Sequence, residues 1–395
     1  MNLVAAPNHF YQPVTRTAGR SDRREFYQAG GCASKGETQD VKGQAVFCKE
    51  WGDCHSGPAT IPGVNNGFNA VVLASPRPVA LPIAVYPGLA LTGATVRDVV
   101  TNAQAQFDAQ AALHQRYHTP FVLSAMDLSA EAEAFGGTVQ FSETEVPSVI
   151  GRLVTTLEQA RNLPVPAPGD GRTAIYLETV RRLRQLPDQP IVLGGCIGPF
   201  SLAARLVGVS EAMEMTVNAP ELMHTLLEKT ASFLTSYIRA FQQAGASGII
   251  MAEPAAGLLS PRAMAALSSA YIRQIGGALA DDRFALVLHN CAAKRLHLPA
   301  VLETGWKTFH FGAPMDIAAA LDQVPADVVL CGNLDPTGVF VQLQPVEIMA
   351  RVAALLAATK GRPNFVLSSG CDVPCAAPLA SLDAFYAAAG TVRPR

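Results

Sequence analysis

Charge is scarce in this sequence. Asp, Glu, Lys and Arg make up 16% of its 395 residues, with 30 basic against 32 acidic side chains and a formal net charge of −2. No basic patch stands out, which sets nucleic acid aside as a partner. Long apolar runs are missing too. The longest uncharged stretches, Cys54–Pro76 and Pro78–Val96, are interrupted by prolines and glycines, which break a membrane-spanning helix. Met1–Phe10 lacks a basic segment followed by an apolar one, so no secretory signal is visible. These absences lead us to expect a soluble, cytoplasmic protein with no membrane partner. Cysteine is sparse: eight in the whole chain is too few for a disulfide scaffold. In a reducing compartment such residues are core thiols, metal ligands or nucleophiles, and position decides which.

What is plentiful is core-forming material, at 49% hydrophobic residues. Its distribution divides the chain. Residues 1 to about 78 hold nine Gly, six Pro and three Cys with no sustained period, and read as an irregular N-terminal extension. From residue 79 to 395 the pattern becomes regular. Short apolar runs rich in β-branched residues recur at Val79–Tyr86, Pro120–Met126, Pro190–Gly194 and Gly248–Met251. They continue at Phe284–Leu288, Thr308–Phe311, Val328–Cys331 and Asn364–Leu367. Amphipathic stretches of helical length lie between most of them, including Val96–Arg116, Thr173–Leu186, Pro220–Ala244, Pro261–Ala280, Pro345–Thr359 and Pro378–Ala388. Eight buried-strand candidates alternating with helices predict an α/β fold, a (β/α)8 TIM barrel. The rival, a doubly wound open sheet, usually carries a Gly-rich phosphate turn after its first strand. Tyr86-Pro87-Gly88-Leu89-Ala90 is not one.

In a barrel the chemistry sits where strands end. Those positions carry Asp127 after the second run, Cys196 after the third and Glu253 after the fourth. His289-Asn290-Cys291 follows the fifth, and His310 closes the sixth. Asn333 and Asp335 follow the seventh, and Cys371-Asp372 the eighth. An imidazole and two thiolates at His289, Cys291 and Cys371 make a three-ligand Zn2+ site with one position left open, the pattern of a catalytic zinc. The alternative is three separately buried core residues. Cys375, four residues after Cys371, is a rival for the third ligand position. Cys196 and Cys331 read as small buried hydrophobes. Cys32, Cys48, Cys54 and His55 match no metal-ligand spacing. His310 is either a satisfied core histidine or a site residue, and Glu253 needs a partner wherever it sits.

Several segments resemble the uroporphyrinogen decarboxylase superfamily, in its zinc-dependent branch of methylcobamide:thiol (coenzyme M) methyltransferases. They are Leu81-Pro-Ile-Ala-Val-Tyr-Pro-Gly88, Met126-Asp-Leu-Ser-Ala-Glu-Ala-Glu-Ala-Phe135 and Gly195-Cys-Ile-Gly-Pro-Phe-Ser-Leu-Ala203. Glu253-Pro254, Leu288-His-Asn-Cys291, Gly332-Asn-Leu-Asp-Pro336 and Ser369-Gly-Cys-Asp-Val-Pro374 complete the set. The resemblance implies a (β/α)8 barrel whose zinc is held by His289, Cys291 and Cys371. It implies transfer of a methyl group between a methyl-corrinoid and a small-molecule thiol such as coenzyme M. Glu253 would be a fourth ligand displaced by the thiol. Asp127 and Asp335 would join it at the catalytic centre, with Asn333 and His310 toward the cofactor. The corrinoid carriers use an Asp-x-His-x-x-Gly motif, and Asp53-Cys-His55-Ser-Gly57 is one residue short of it. A separate corrinoid protein is therefore the implied partner, supplying methylcobalamin or a related corrinoid. Arg16-Thr-Ala-Gly-Arg20 only echoes the arginine segment with which the decarboxylases grip substrate carboxylates. A metal-independent decarboxylase and a non-catalytic tetrapyrrole-binding barrel are the alternatives.

Overall fold

The computed structural model describes residues 67–390, except 280 and 282. The Cys-containing extension and the Arg16–Arg20 echo lie outside the described residues. Inside the segment expected to be irregular, Phe68–Ala74 forms a helix, with Phe68, Val71 and Val72 buried and the Phe68 ring 5.1 Å from that of Phe121.

Eight parallel strands form one curled sheet: β1 (Val79–Ala80), β2 (Phe121–Leu123), β5 (Ile191–Ile197), β6 (Gly248–Ala252), β7 (Ala285–Asn290), β8 (Thr308–Phe311), β9 (Val329–Leu334) and β10 (Phe365–Ser369). A small antiparallel hairpin, β3 (Thr138–Gln140) with β4 (Ser148–Ile150), interrupts the series after β2. The spatial order β1-β10-β9-β8-β7-β6-β5-β2 is that of a (β/α)8 barrel, with the ladder open between β1 and β2. Each expected apolar run supplies one strand, because a parallel sheet covered by helices is buried on both faces. The seven residues of β5 are all buried.

Strand lengths differ from expectation at the two ends. The first run yields only Val79–Ala80, then turns into a short 3-10 segment at Tyr86–Gly88. The third extends to Ile197, which puts Cys196 inside the strand rather than after it. The expected helix Val96–Arg116 is two helices, Val96–Thr101 and Ala103–Tyr117. Asn102 divides them: its backbone is extended, and its side chain accepts from Gln104 N and Ala105 N as the cap of the second.

That second helix also bridges the open seam. Its buried Gln106 accepts from Ala125 N and donates to Val99 O. One turn on, Gln110 lies buried with the end of its amide facing two carbonyls, Leu123 O at the end of β2 and Ala84 O just past β1; only the NH2 can satisfy both, and turned toward them it donates to each at 3.2 Å. One side chain thus supplies donors that a missing strand partner would have given. Gln110→Leu should leave both carbonyls unpaired and lower the unfolding free energy by about 1–3 kcal/mol, measured by urea denaturation. An unchanged midpoint would remove the amide from any role in holding the seam.

Among the described residues, no helix is long and apolar enough to cross a membrane.

Candidate metal centre

Strand β7 carries its polar residues at its C-terminal end, where His289 and Asn290 are both buried. Asn290 then shapes the turn beyond: its side-chain oxygen accepts from Ala292 N at 3.1 Å and Ala293 N at 2.9 Å. This turn presents Cys291 to the open end of the sheet. Gly312, just past β8, lies against the Cys291 carbonyl oxygen so closely that a Cβ there would collide with it. On the far side of the sheet, β10 ends at Ser369, and Cys371 follows two residues later. Gly370 N is bonded to Leu334 O of β9, and Val373 N donates to Ile83 O at 2.8 Å, so the Cys371 turn is pinned on both flanks.

The structure brings His289, Cys291 and Cys371 together: one ligand atom from each lies within 4.8 Å of the other two. The hydrogen bonds around His289 decide which nitrogen is offered. Ser368 Oγ donates to the Leu81 carbonyl, so its remaining interaction, at 2.8 Å, accepts from His310 Nε2–H. Burial pushes the His310 pKa well below the ordinary histidine value, and His289 adds to this. His310 is therefore neutral, and its Nδ1 is an acceptor. His289 Nδ1, 2.9 Å away, must be the donor. That leaves His289 Nε2 with a lone pair, buried and without a hydrogen-bond partner. A buried nitrogen with no partner is costly.

The thiols complete the arrangement. Cys371 S–H donates to Cys291 and holds its thiol well below the ordinary value, against the effect of burial. Cys371 is pushed up correspondingly, first by that same bond and then by burial. One imidazole lone pair and two sulfurs form a soft donor set, and a tetrahedral zinc takes such ligands at about 2.0–2.3 Å. The residues present fit that ion. Cys375 stands apart, its sulfur donating to Thr144 O at 3.1 Å. Asp372, beside Cys371, has one carboxylate oxygen buried without a partner, and burial raises its pKa well above the usual range. Its position after Cys371 was visible in the sequence, but nothing there indicated that it would be enclosed.

Glu253 is correctly placed at a strand end but does not enter the ligand group. Its carboxylate lies over the start of the helix Pro199–Val207, accepting from Phe200 N and Ser201 N, each at 2.8 Å. Ser268 Oγ adds a third bond at 2.9 Å, delivered from a π-helical turn at Ala265–Ser269. Four first-turn N–H groups and the positive end of a helix dipole are a natural seat for a carboxylate. Gly198 is required beneath it, since a Cβ would strike the carboxylate. The expected displaceable fourth ligand is thus a cap.

Asp127 is likewise engaged. It pairs with buried Arg172, and it accepts from Ser129 Oγ at 2.6 Å, Ser129 N at 3.0 Å and Tyr176 OH at 3.0 Å. Arg172 also pairs with Glu133, so the ion pair is fully bonded. Neither Arg172 nor Tyr176 was signalled by the sequence, because both come from a helix far from any motif. Asp335 is exposed and accepts from Thr337 N and Gly338 N, which makes a turn. Asn333 donates to Gly312 O and Met315 O, tying β9 to the loop after β8. His310 sits behind His289, one layer removed from the thiols.

Glu131 was also missed. Its Oε1 accepts from Ile197 N at 2.9 Å, while Oε2 is buried without a partner. Burial raises its pKa to about 7 from 4.5, with the Ile197 N–H opposing. Such a group favours folding below its unfolded pKa, and that contribution is lost as pH rises through about 7. Glu131→Gln should therefore gain on the wild type by on the order of 3 kcal/mol between pH 4.5 and pH 8. Urea unfolding at a series of pH values measures this, and parallel curves for the two proteins would rule out an ionising Glu131.

A parallel α/β sheet in barrel order with a His/Cys/Cys cluster at its C-terminal end defines a class of proteins, and comparison with known proteins specifies it. The uroporphyrinogen decarboxylase (URO-D) family model matches residues 83–392. The chain belongs to this family. It is 27% identical over 288 residues to methylcobamide:CoM methyltransferase MtbA of Methanosarcina acetivorans, covering 71% of this chain and 83% of the relative. It is 29% identical over 272 residues to uroporphyrinogen decarboxylase of Pseudomonas paraeruginosa, covering 66% and 76%. A methyltransferase structure from Methanosarcina mazei superposes with a TM-score of 0.73 at 21% identity, over 81% of this chain and 96% of that one. The relatives are named as enzymes of two kinds, methyltransferases and decarboxylases.

The tautomer argument has a direct consequence. His310→Phe deletes the acceptor that orients His289, and metal affinity should fall by about 10- to 100-fold, read by competition with a chromogenic chelator. Unchanged affinity would mean that His289 does not depend on His310 for its orientation.

Proposed function

We propose that this protein is a zinc-dependent methyltransferase that moves a methyl group between a methyl-corrinoid, carried by a separate protein, and a small-molecule thiol. The observation that carries this reading is the buried, unpartnered His289 Nε2 beside Cys291 and Cys371. A soft donor set gathered around an unpartnered imidazole nitrogen suits a metal ion. A zinc there would activate a thiol, which is only a few per cent thiolate at pH 7 with its ordinary pKa near 8.5. His289, Cys291 and Cys371 would hold the ion. The two sulfurs would moderate its positive charge, which keeps a sulfur nucleophile reactive. Similarity to MtbA, named for methylcobamide and CoM, supports the branch. We read the sheet as a closed barrel, sealed between β1 and β2 through Gln110.

The chain's own residues would do the positioning. Asn290 and Gly312 set the Cys291 turn, and His310 with Ser368 aligns the imidazole. Glu253 and Asp127, fully engaged, would fix the walls of the mouth rather than exchange protons, and Asn333 and Asp335 would shape the rim.

The partner reading has its own support in the surface. Among the described residues, five of the nine exposed large hydrophobics, Leu91, Leu258, Leu296, Val346 and Met349, lie in strand-to-helix connections or in the first turns of the helices that follow them. Leu258 and Leu296, 50% and 56% exposed, stand on the loops after β6 and β7. The opposite, helix-to-strand connections carry none. Exposed apolar residues mark interaction surfaces, and Leu258 and Leu296 follow the strands at whose ends Glu253 and His289 sit. A corrinoid protein would dock there, in the cytoplasm.

Metal analysis of the purified protein should give close to one zinc per chain, and Cys371→Ser should lose most of it. With a thiol present, the holoprotein should demethylate methylcobalamin, followed by the corrinoid visible spectrum. Cys291→Ala should lower that rate by about 100-fold or more. Decarboxylation of uroporphyrinogen that persists after zinc removal would instead establish the decarboxylase reading. Tight tetrapyrrole binding without turnover would establish a binding barrel.

A further inference from the structure

Five cysteines fall among the described residues, and their surroundings separate them. Cys196 and Cys331 are buried within β5 and β9. Cys291, Cys371 and Cys375 are partly exposed, in the loops after β7 and β10. Of these three, Cys375 turns its thiol to the Thr144 carbonyl at 3.1 Å. Cys291 and Cys371 turn to each other. Their sulfurs share a hydrogen bond and, with a His289 nitrogen, lie within 4.8 Å of one another.

Two thiols in such contact can share a metal ion, or they can give up two electrons and join as a disulfide. The outcomes exclude each other, because a metal takes its sulfur ligands as thiolates. A disulfide would leave only His289 of the three ligands. Reach favours the bond as well. Disulfide sulfurs sit about 2.0 Å apart on Cβ atoms roughly 3.5–4.5 Å apart, and hydrogen-bonded sulfurs are already neighbours. The turns that deliver them are held by bonds of their own, Ala292 N and Ala293 N to Asn290 on one side, Val373 N to Ile83 O on the other. Neither turn relies on a metal to bring its cysteine to the other. Partial exposure opens the pair to a small oxidant, which the enclosed Cys196 and Cys331 escape.

We propose that Cys291 and Cys371 join in a reversible disulfide when a hydroperoxide reaches them, which dismantles the metal centre and makes it a redox switch. This rests on the ligand grouping and is independent of the reaction the bound metal serves. With hydrogen peroxide, the Cys291 sulfur attacks one oxygen and the O–O bond breaks. Cys291 becomes a sulfenic acid, and its thiol proton leaves with the second oxygen as water. The Cys371 sulfur then attacks the sulfenic sulfur. The S–O bond breaks as the S–S bond forms, and the hydroxyl departs with the Cys371 proton as a second water. Two electrons have passed from the sulfurs to the peroxide. A dithiol returns both thiols by exchange and is itself oxidised to a disulfide.

The test uses the full chain, zinc-loaded and zinc-stripped by chelation. Each is treated with hydrogen peroxide and alkylated, and its peptides are mapped by mass spectrometry. The zinc-stripped chain should give one disulfide, joining Cys291 to Cys371, although Cys375 is the nearer partner of Cys371 in sequence. That product should lose its zinc-binding capacity, and dithiothreitol should restore it. From the zinc-loaded chain, peroxide should release zinc to a chromogenic chelator in step with the same disulfide. Cys375→Ser should form the disulfide unchanged. In Cys371→Ser the reaction should stop at the Cys291 sulfenic acid, captured by dimedone.

A Cys371–Cys375 disulfide in its place would overturn the proposal, as would oxidation of Cys291 to the sulfinic acid with Cys371 untouched. A Cys291–Cys371 disulfide that leaves zinc binding intact would also overturn it. If the reduced chain binds zinc and the disulfide fails to form, the redox proposal alone falls. If the reduced chain binds no zinc, the metal reading falls and the switch with it, and the peptide map still decides whether the two sulfurs are a redox pair.

Discussion

The lone pair on His289 Nε2 is the constraint around which this molecule is organised. It is fixed by a relay that begins in the backbone of another strand: the Leu81 carbonyl takes the Ser368 proton, Ser368 accepts from His310, and His310 accepts from His289. Each member has one proton and one acceptor to spend, so the direction of the relay follows once its end is anchored. Reversing it would require a charged or differently protonated imidazole in a site where burial disfavours charge. The protein thus delivers an unprotonated nitrogen to the two thiols before any ion arrives, which is the orientation that metal sites gain from their outer hydrogen bonds.

The carboxylates divide from this centre in a consistent way. Asp127 and Glu253 both occupy strand ends, the positions at which barrel enzymes place their chemistry. Both are nevertheless spent on structure, one in an ion pair with Arg172 and the other on the helix N-terminus after β5. Their rigidity has a use. Carboxylates held by several bonds at once fix the strand ends they follow and leave little room for them to move. Glu131 and Asp372 are different, each leaving a buried oxygen without a partner. Burial raises the pKa of both, so their surroundings favour the protonated form over the charged one.

Much of the architecture was legible because hydrophobic period and strand ends are local properties. The eight apolar runs became the eight parallel strands, and His289, Cys291 and Cys371 were singled out from residue type and strand-end position alone. What was not legible depended on contacts distant in sequence. Glu253 read as a metal ligand because its nearest signal was a strand end. Its actual partners, Phe200 N and Ser201 N, lie 53 and 52 residues away. Arg172 and Tyr176 sit on a helix without any motif, and only the fold carries them to Asp127. Asn102 was a local signal overlooked: a good cap in the middle of an amphipathic stretch divides it. The seam followed the same logic, since no periodicity reveals that β1 would be two residues long and that Gln110 would reach across from a helix.

The relatives of this chain are named as decarboxylases and as methyltransferases, so family membership does not choose between them. The choice lies in the donors at the mouth. A decarboxylase acting on a polycarboxylate needs cations facing its substrate and gains nothing from two thiols around an unpartnered imidazole. This chain has the thiols around that nitrogen, while Arg172, buried beside a strand-end carboxylate, is already committed to Asp127 and Glu133.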